Sequence, residues 1–185
     1  MKKILIVANW KMNPSSAQEA RQLFEAVGKG VSEIDGAEVV ICPPFVYIPQ
    51  IQDTRYKIQT GGQDCFWEEK GAYTGEISPA MLKNLGCTHV VLGHSERKNY
   101  LKEDAGDISR KVLAAVKGNL IPIICIGEAE KNSSENRQQI EHQMKNILGD
   151  ARYAQAKRMA LAYEPEWAIS SSKDITTRVD GKRPD

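Results

Sequence analysis

The chain contains Val90-Val91-Leu92-Gly93-His94-Ser95-Glu96-Arg97, an apolar run that stops at a glycine and continues as four consecutive polar side chains. The run is β-branched and lies between Gly86 and Gly93, which favours a buried strand over a helix of the same length. A histidine just past the carboxyl end of a strand can transfer a proton near neutral pH, although a lone histidine there is more often a structural hydrogen-bonding residue. The stretch therefore predicts a buried strand that ends at a candidate site.

Polar clusters also follow the first and last apolar runs of the chain, as Asn9-Trp10-Lys11-Met12-Asn13 and Ala162-Tyr163-Glu164-Pro165. Two further motifs are Tyr73-Thr74-Gly75-Glu76-Ile77-Ser78-Pro79 and Cys125-Ile126-Gly127-Glu128. With the opening stretch, these motifs closely resemble triosephosphate isomerase, from Lys3 to about Ile169. Five motifs in the correct order are specific for the family, although they are not specific for activity.

Composition narrows the class of protein. The 185 residues suffice for one buried core and suggest a single domain. A net charge of +1 gives no sign of a nucleic-acid partner. No stretch approaches the roughly 20 apolar residues of a membrane span, and the amino terminus does not resemble a signal peptide, so we expect a soluble cytoplasmic protein without membrane contact. The four cysteines lack C-x-x-C spacing and are predicted to be buried thiols.

Strand and helix patterns alternate along the chain, which predicts an α/β fold with a parallel sheet covered by helices. Composition does not distinguish a doubly wound sheet from a barrel. The dinucleotide-binding pattern G-x-G-x-x-G is absent after the first strand, where Asn9-Trp10-Lys11 stands instead. The resemblance implies a partial or rearranged (β/α) TIM-type barrel of about six recognisable βα units, with its site at the carboxyl ends of the strands.

The resemblance also implies a reaction, the interconversion of glyceraldehyde 3-phosphate and dihydroxyacetone phosphate through an enediolate. Carried over from the family, Glu164 would be the base, His94 the electrophile, Lys11 a fixed positive charge and Asn9 an orienting group. No metal or cofactor is expected. Each residue has a structural alternative: Lys11 could be a solvated lysine, and Glu164 could cap the turn before Pro165.

We expect three further residues of the motifs to support the four catalytic residues, namely Ser95, Glu96 and Cys125. Glu96 and Arg97 are predicted to form ion pairs that hold the site together. Ser95 is predicted to orient Glu164 or to cap the turn.

A long polar loop, 64–77, carries Phe66, Trp67 and Tyr73, and exposed aromatic side chains on a loop suggest a partner. In the family this loop reaches into the neighbouring subunit. The resemblance therefore implies a homodimer formed through residues near Thr74 and Gly75.

The resemblance ends at the family's lid, which corresponds here to Pro165, Trp167, Ile169 and Ser170. Two glycines of the family's lid are serines in this chain, and glycine favours close approach to a phosphate, so lid closure is expected to be affected. The segment 170–185 is a divergent polar tail of the single domain 1–185.

A complete barrel takes about 250 residues, so the sequence predicts that the seventh and eighth βα units are missing. We therefore expect reduced activity and weak phosphate binding. Open strand edges tend to pair, and the alternative function is a catalytically inactive homologue that self-associates or acts as a binding scaffold. A fragment of a longer protein is a third possibility.

Overall fold

A computed structural model describes residues 4–52, 55–128, 130–131, 134–149 and 159–168. The strands are β1 (Ile4–Asn9), β2 (Ala37–Cys42), β3 (Ile58–Gly62), β4 (His89–Leu92), β5 (Ile121–Ile126) and β6 (Ala160–Tyr163). The α-helices are α1 (Ala17–Val31), α2 (Pro79–Asn84), α3 (Ser95–Leu101), α4 (Ala105–Lys117) and α5 (Asn136–Leu148). Short 3₁₀ helices span Phe45–Gln50 and Glu166–Ala168.

The strands form one six-stranded sheet in the order β1-β2-β3-β4-β5-β6. Every neighbouring pair is parallel, with Val7 opposite Val40 and Leu92 opposite Ile124, for example. Because the order never reverses, the sheet is not doubly wound. It curls into a half-barrel with helices between the strands, which confirms the prediction of a partial TIM-type barrel.

Two apolar layers cover the faces of the sheet, because successive side chains of a strand point to opposite sides. Leu92 and Ile124 belong to the layer between the sheet and the helices, where they pack with Val112 of α4. Their neighbours Val91 and Cys125 belong to a smaller cluster on the inner face. The sheet is therefore apolar on both faces, and polar groups gather where the strands end.

Helix α3 starts directly after His94 and was not predicted, because four polar residues in a row give no apolar stripe. Gly93 makes the turn from β4 with φ +69°, a backbone conformation that favours glycine. Helix α1 starts after Ser16, whose side chain accepts a hydrogen bond from the Glu19 amide at 3.2 Å. Its apolar stripe is buried at Ala20 and Phe24.

All four cysteines are free and buried, as predicted: Cys42, Cys65, Cys87 and Cys125. Burial raises the pKa of Cys42 and of Cys65 to about 12, so both stay protonated near neutral pH. In the part of the chain that the structure describes, no helix is long and apolar enough to cross a membrane.

Candidate active site

The polar ends of β1, β4 and β6 meet at one side of the half-barrel. They surround a cleft of about 350 Å³ lined by Asn9, Lys11, His94, Tyr163, Glu164, Pro165 and Ala168. The structure thus brings together the four predicted catalytic residues. They converge because parallel strands end at the same edge of the sheet.

His94 is the N-terminal cap of α3, and its Nδ1 accepts a hydrogen bond from the Glu96 amide at 3.3 Å. A ring nitrogen that accepts a hydrogen bond carries no proton, so the proton of the neutral ring sits on Nε2. Nε2 lies 3.6 Å from Oε2 of Glu164. His94 therefore presents a hydrogen-bond donor to the cleft, directly opposite a carboxylate.

Glu164 follows β6, and its amide donates to the carbonyl oxygen of Ile126 at 2.8 Å. Its Oε2 is buried and has no hydrogen-bond partner among the described residues. Cys125 lies beside this carboxylate, and burial first, then the Glu164 charge, raises the pKa of the Cys125 thiol. The thiol is therefore a neutral neighbour of the carboxylate rather than a second anion.

Gly127 sets the position of the Glu164 backbone. A Cβ atom at Gly127 would clash with the carbonyl oxygen of Glu164, so only glycine permits this approach. Gln143 of α5 holds Gly127 in turn: its Nε2 donates to the Gly127 carbonyl at 2.8 Å, and its Oε1 accepts from the Gly127 amide at 3.2 Å. Sequence reasoning missed Gln143, because a glutamine on a helix has many possible roles.

Gly127→Ala is expected to push the Glu164 backbone away from the cleft and to lower kcat by about 100-fold, since a displacement of ~1 Å can have an effect of that size. Steady-state kinetics of the triose phosphate isomerisation that the resemblance implies measures the loss. Gly30→Ala is the matched control, because a Cβ at Gly30 of α1 meets nothing within 4 Å. An unchanged kcat in Gly127→Ala would contradict this account of Glu164.

Lys11 has a left-handed backbone with φ +54°. Its amide donates to the side-chain oxygen of Asn9 at 3.0 Å, and its Nζ lies 2.7 Å from Oε1 of Glu96. The ion pair contributes to the position of the ammonium group at the cleft that His94 also lines. Lys11 is therefore not a freely solvated lysine.

A network of four charges, all buried except Arg97, joins α3 to its surroundings. Arg97 contacts Asp64 at 2.9 Å and Glu103 at 2.8 Å, while Lys111 contacts Asp64 at 2.7 Å and Glu103 at 3.1 Å. The network joins α3 and α4 to the residues that follow β3. Arg97 was predicted to form an ion pair, but its partners were not predicted. Ser95 is buried as the first residue of α3, and the helix cap is His94 instead.

The aromatic side chains of the loop 64–77 pack on one another. Phe66 has its ring centroid 4.0 Å from that of Trp67 and 4.7 Å from that of Tyr73. Phe66 and Trp67 are half-buried rather than exposed, because the loop folds over its own aromatic rings. Thr74 and Gly75 lie at the exposed tip of the loop.

The predicted lid is described only in part, because Ile169 and Ser170 lie outside the described residues. Trp167 donates from Nε1 to Oε1 of Glu128 at 2.9 Å, and the Tyr163 hydroxyl donates to the same oxygen at 2.9 Å. These two hydrogen bonds, the one from Trp167 first, lower the pKa of Glu128. The backbone carbonyl of Glu128 also accepts from the Glu166 amide at 2.8 Å. Glu128 thus anchors the residues that follow Glu164, a role that sequence reasoning missed.

Comparisons with known proteins agree with this architecture. The family model for triosephosphate isomerase matches residues 4–179. Triosephosphate isomerase from Moorella thermoacetica is 41% identical over 180 residues, which are 95% of this chain and 72% of that protein. The enzyme from Clostridium tetani is 39% identical over 181 residues, which are 96% of this chain and 70% of that protein.

A solved structure shows the same fold. Triosephosphate isomerase from Bartonella henselae superposes with a TM-score of 0.79 at 33% sequence identity, over 94% of this chain and 71% of that one. The match in sequence, the matching fold and the convergence of the motifs at one cleft lead to one conclusion: the chain belongs to the triosephosphate isomerase family.

Proposed function

We propose that the cleft interconverts glyceraldehyde 3-phosphate and dihydroxyacetone phosphate. The reaction moves one proton between adjacent carbons and another between their oxygens, so it needs a base for the carbon and a hydrogen-bond donor for the oxygens. The observation that carries the proposal is the pair of Glu164 and His94, whose Oε2 and Nε2 atoms lie 3.6 Å apart at the cleft.

Glu164 takes the proton from carbon. Glu164 lines the cleft, and its Oε2 has no hydrogen-bond partner in the described part of the chain, so the carboxylate is not committed to a protein donor. Loss of the proton from one carbon gives an enediolate, and the isomerisation is complete once that proton has returned to the neighbouring carbon and a second proton has moved from one oxygen to the other. The reaction consumes neither electrons nor a second substrate, so the chemistry itself requires no redox cofactor.

His94 and Lys11 stabilise the charge that develops on oxygen. The Nε2–H group of His94 is fixed by the cap of α3 and can donate to both substrate oxygens in turn. The Lys11 ammonium, paired with Glu96 at 2.7 Å, adds a positive charge. Donors fixed in advance stabilise a developing oxyanion without the cost of reorganisation. The same ammonium suits a phosphorylated triose, which is a dianion.

His94→Gln is expected to lower kcat by about 10²–10³-fold, the effect of removing one donor to a developing oxyanion. A coupled spectrophotometric assay of triose phosphate conversion in both directions measures it. His142→Gln is the matched control, because His142 is exposed on α5. If the unmodified protein converts neither triose phosphate, the proposed function is wrong. If His94→Gln is as active as the unmodified protein, the assigned role of His94 is wrong.

We also propose that two copies of the chain associate through the tip of the loop 64–77. Support comes from the exposure of Thr74 and Gly75 and from Tyr73 beside them, whose side chain is 45% exposed. Sedimentation velocity is expected to show a dimer that Tyr73→Ser weakens. A monomer at every concentration would contradict this part of the proposal.

A further inference from the structure

The backbone of Lys11 adopts a conformation that lysine does not prefer. Its φ of +54° lies in the left-handed region, where a side chain crowds the backbone. Such conformations persist when the surrounding structure holds them. Met12, the next residue, contributes little to holding this conformation, because it is 93% exposed. The groups that bind the backbone of Lys11 itself are placed to hold its φ angle.

Both polar groups of the Lys11 backbone are bound by side chains. The amide donates to Asn9, as described above. The carbonyl accepts a hydrogen bond from Nε2 of Gln63 at 2.8 Å, and the same nitrogen donates to the carbonyl of Cys42 at 2.9 Å. Gln63 thus uses both protons of its amide group to tie the turn after β1 to the end of β2.

Gln63 is itself held in place by its neighbour. It directly follows β3 and points inward, while Asp64 points outward to Lys111 and Arg97 at 2.7 and 2.9 Å. The two side chains point to opposite sides because successive side chains alternate along an extended chain. Ion pairs on the outer side of the sheet therefore fix a hydrogen-bond donor on the inner side.

We propose that Gln63 is a positioning residue that holds Lys11 in its left-handed conformation and so keeps the ammonium group at the cleft. The inference rests on the proposed isomerase function. The ion pair with Glu96 does not suffice for this task, because the two side chains are 38% and 42% exposed and exposed ion pairs are weak. Without Gln63, the backbone of Lys11 relaxes and Nζ leaves its place at the cleft.

The test is a double-mutant cycle with Gln63→Met and Lys11→Met, read out by calorimetric titration of 2-phosphoglycolate and by kcat/KM. Gln63→Met has a similar length and no donor. It is expected to weaken both binding and kcat/KM by about 10-fold or more, an effect typical of displaced positioning groups. In the Lys11→Met background the same change is expected to have almost no further effect on binding, because the group that Gln63 positions is gone.

A matched control separates positioning from stability. Among the described residues, Gln52 contacts none that line the cleft. Gln52→Met also removes a side-chain amide, which donates to the hydroxyl of Thr60 and to the carbonyl of Leu85. It is expected to lower the melting temperature comparably while leaving binding and kcat/KM unchanged. Gln63→Glu gives a second test, because a carboxylate donates nothing and a protonated carboxyl donates one hydrogen bond. Its activity relative to the unmodified protein is expected to rise as the pH falls.

Each outcome has a distinct meaning. Equal effects of Gln63→Met with and without Lys11 would overturn the inference, and so would unfolding of both Gln63 variants, since Gln63 would then serve stability alone. If the unmodified protein neither converts triose phosphates nor binds 2-phosphoglycolate, the proposed function fails. That result differs from the one that would overturn the role of Gln63 alone. In the latter, the protein is active and binds 2-phosphoglycolate, but the effects of Gln63→Met and Lys11→Met simply add.

Discussion

Replacing Glu164 with glutamine is expected to lower kcat by about 10²–10⁴-fold, the usual contribution of a positioned general base. The amide has nearly the shape of the carboxylate, but it cannot take a proton from carbon. His94 and Lys11 do not need the Glu164 charge to stay in place, because α3 fixes His94 and other residues bind the backbone and the ammonium group of Lys11. KM is therefore expected to change much less than kcat.

Steady-state kinetics over a range of triose phosphate concentrations measures this split. Glu25→Gln, on the exposed side of α1, makes the same chemical change away from the cleft and is expected to leave kcat and KM unchanged. A Glu164→Gln variant with kcat close to that of the unmodified protein would show that another group removes the proton.

Lys111→Met is expected to lower the free energy of unfolding by about 3–5 kcal/mol, the typical effect of removing one partner from a buried ion pair. Lys111 is only 3% exposed, and it contacts both Asp64 and Glu103. Its loss leaves two buried carboxylates that share one cation, Arg97. Lys117→Met on the same helix is the control, because its exposed ion pair with Glu69 contributes at most about 1 kcal/mol.

The pH dependence of this loss identifies its cause. Burial raises the pKa of Asp64 to about 6 even with Lys111 and Arg97 present. A carboxyl with a raised pKa stabilises the fold most when protonated, so its contribution is largest at low pH and is lost as the pH rises through about 6. Without Lys111 the pKa of Asp64 rises further, and the destabilisation should shrink as the pH falls from 7 towards 5.

Urea unfolding of Lys111→Met and of the unmodified protein at several pH values measures this difference. A loss of stability that does not change with pH would indicate a packing defect at Lys111 instead of an unpaired carboxylate.

The fold was predictable because its signals are local. Runs such as Val90-Val91-Leu92 are β-branched and apolar on both faces, as buried parallel strands require. Helix α1 has an apolar stripe and a capping serine. Helix α3 offers neither signal, since its cap is a histidine and its first turn is polar. Its existence depends on the turn at Gly93 and on the ion pairs of Arg97.

The candidate site was predictable only in part. The carboxyl ends of the strands locate Lys11, His94 and Glu164, because parallel strands end at one edge. The contacts that fix these residues join distant positions: 85 residues separate Lys11 from Glu96, and 52 separate Lys11 from Gln63. No local pattern marks such pairs. The left-handed backbone of Lys11 also has no sequence signal, because lysine is not a residue that favours it.

Isomerisation in D₂O, followed by proton NMR, tests the central claim most directly. If Glu164 carries the proton between carbons through an enediolate, the proton it holds can exchange with solvent before it returns, because Glu164 lies in a cleft and is 35% exposed. Deuterium is then expected on the carbon that receives the proton, and Glu164→Gln should lose this incorporation together with turnover. Rapid isomerisation without deuterium in the product would contradict the account, since it would indicate direct transfer of hydrogen from carbon to carbon.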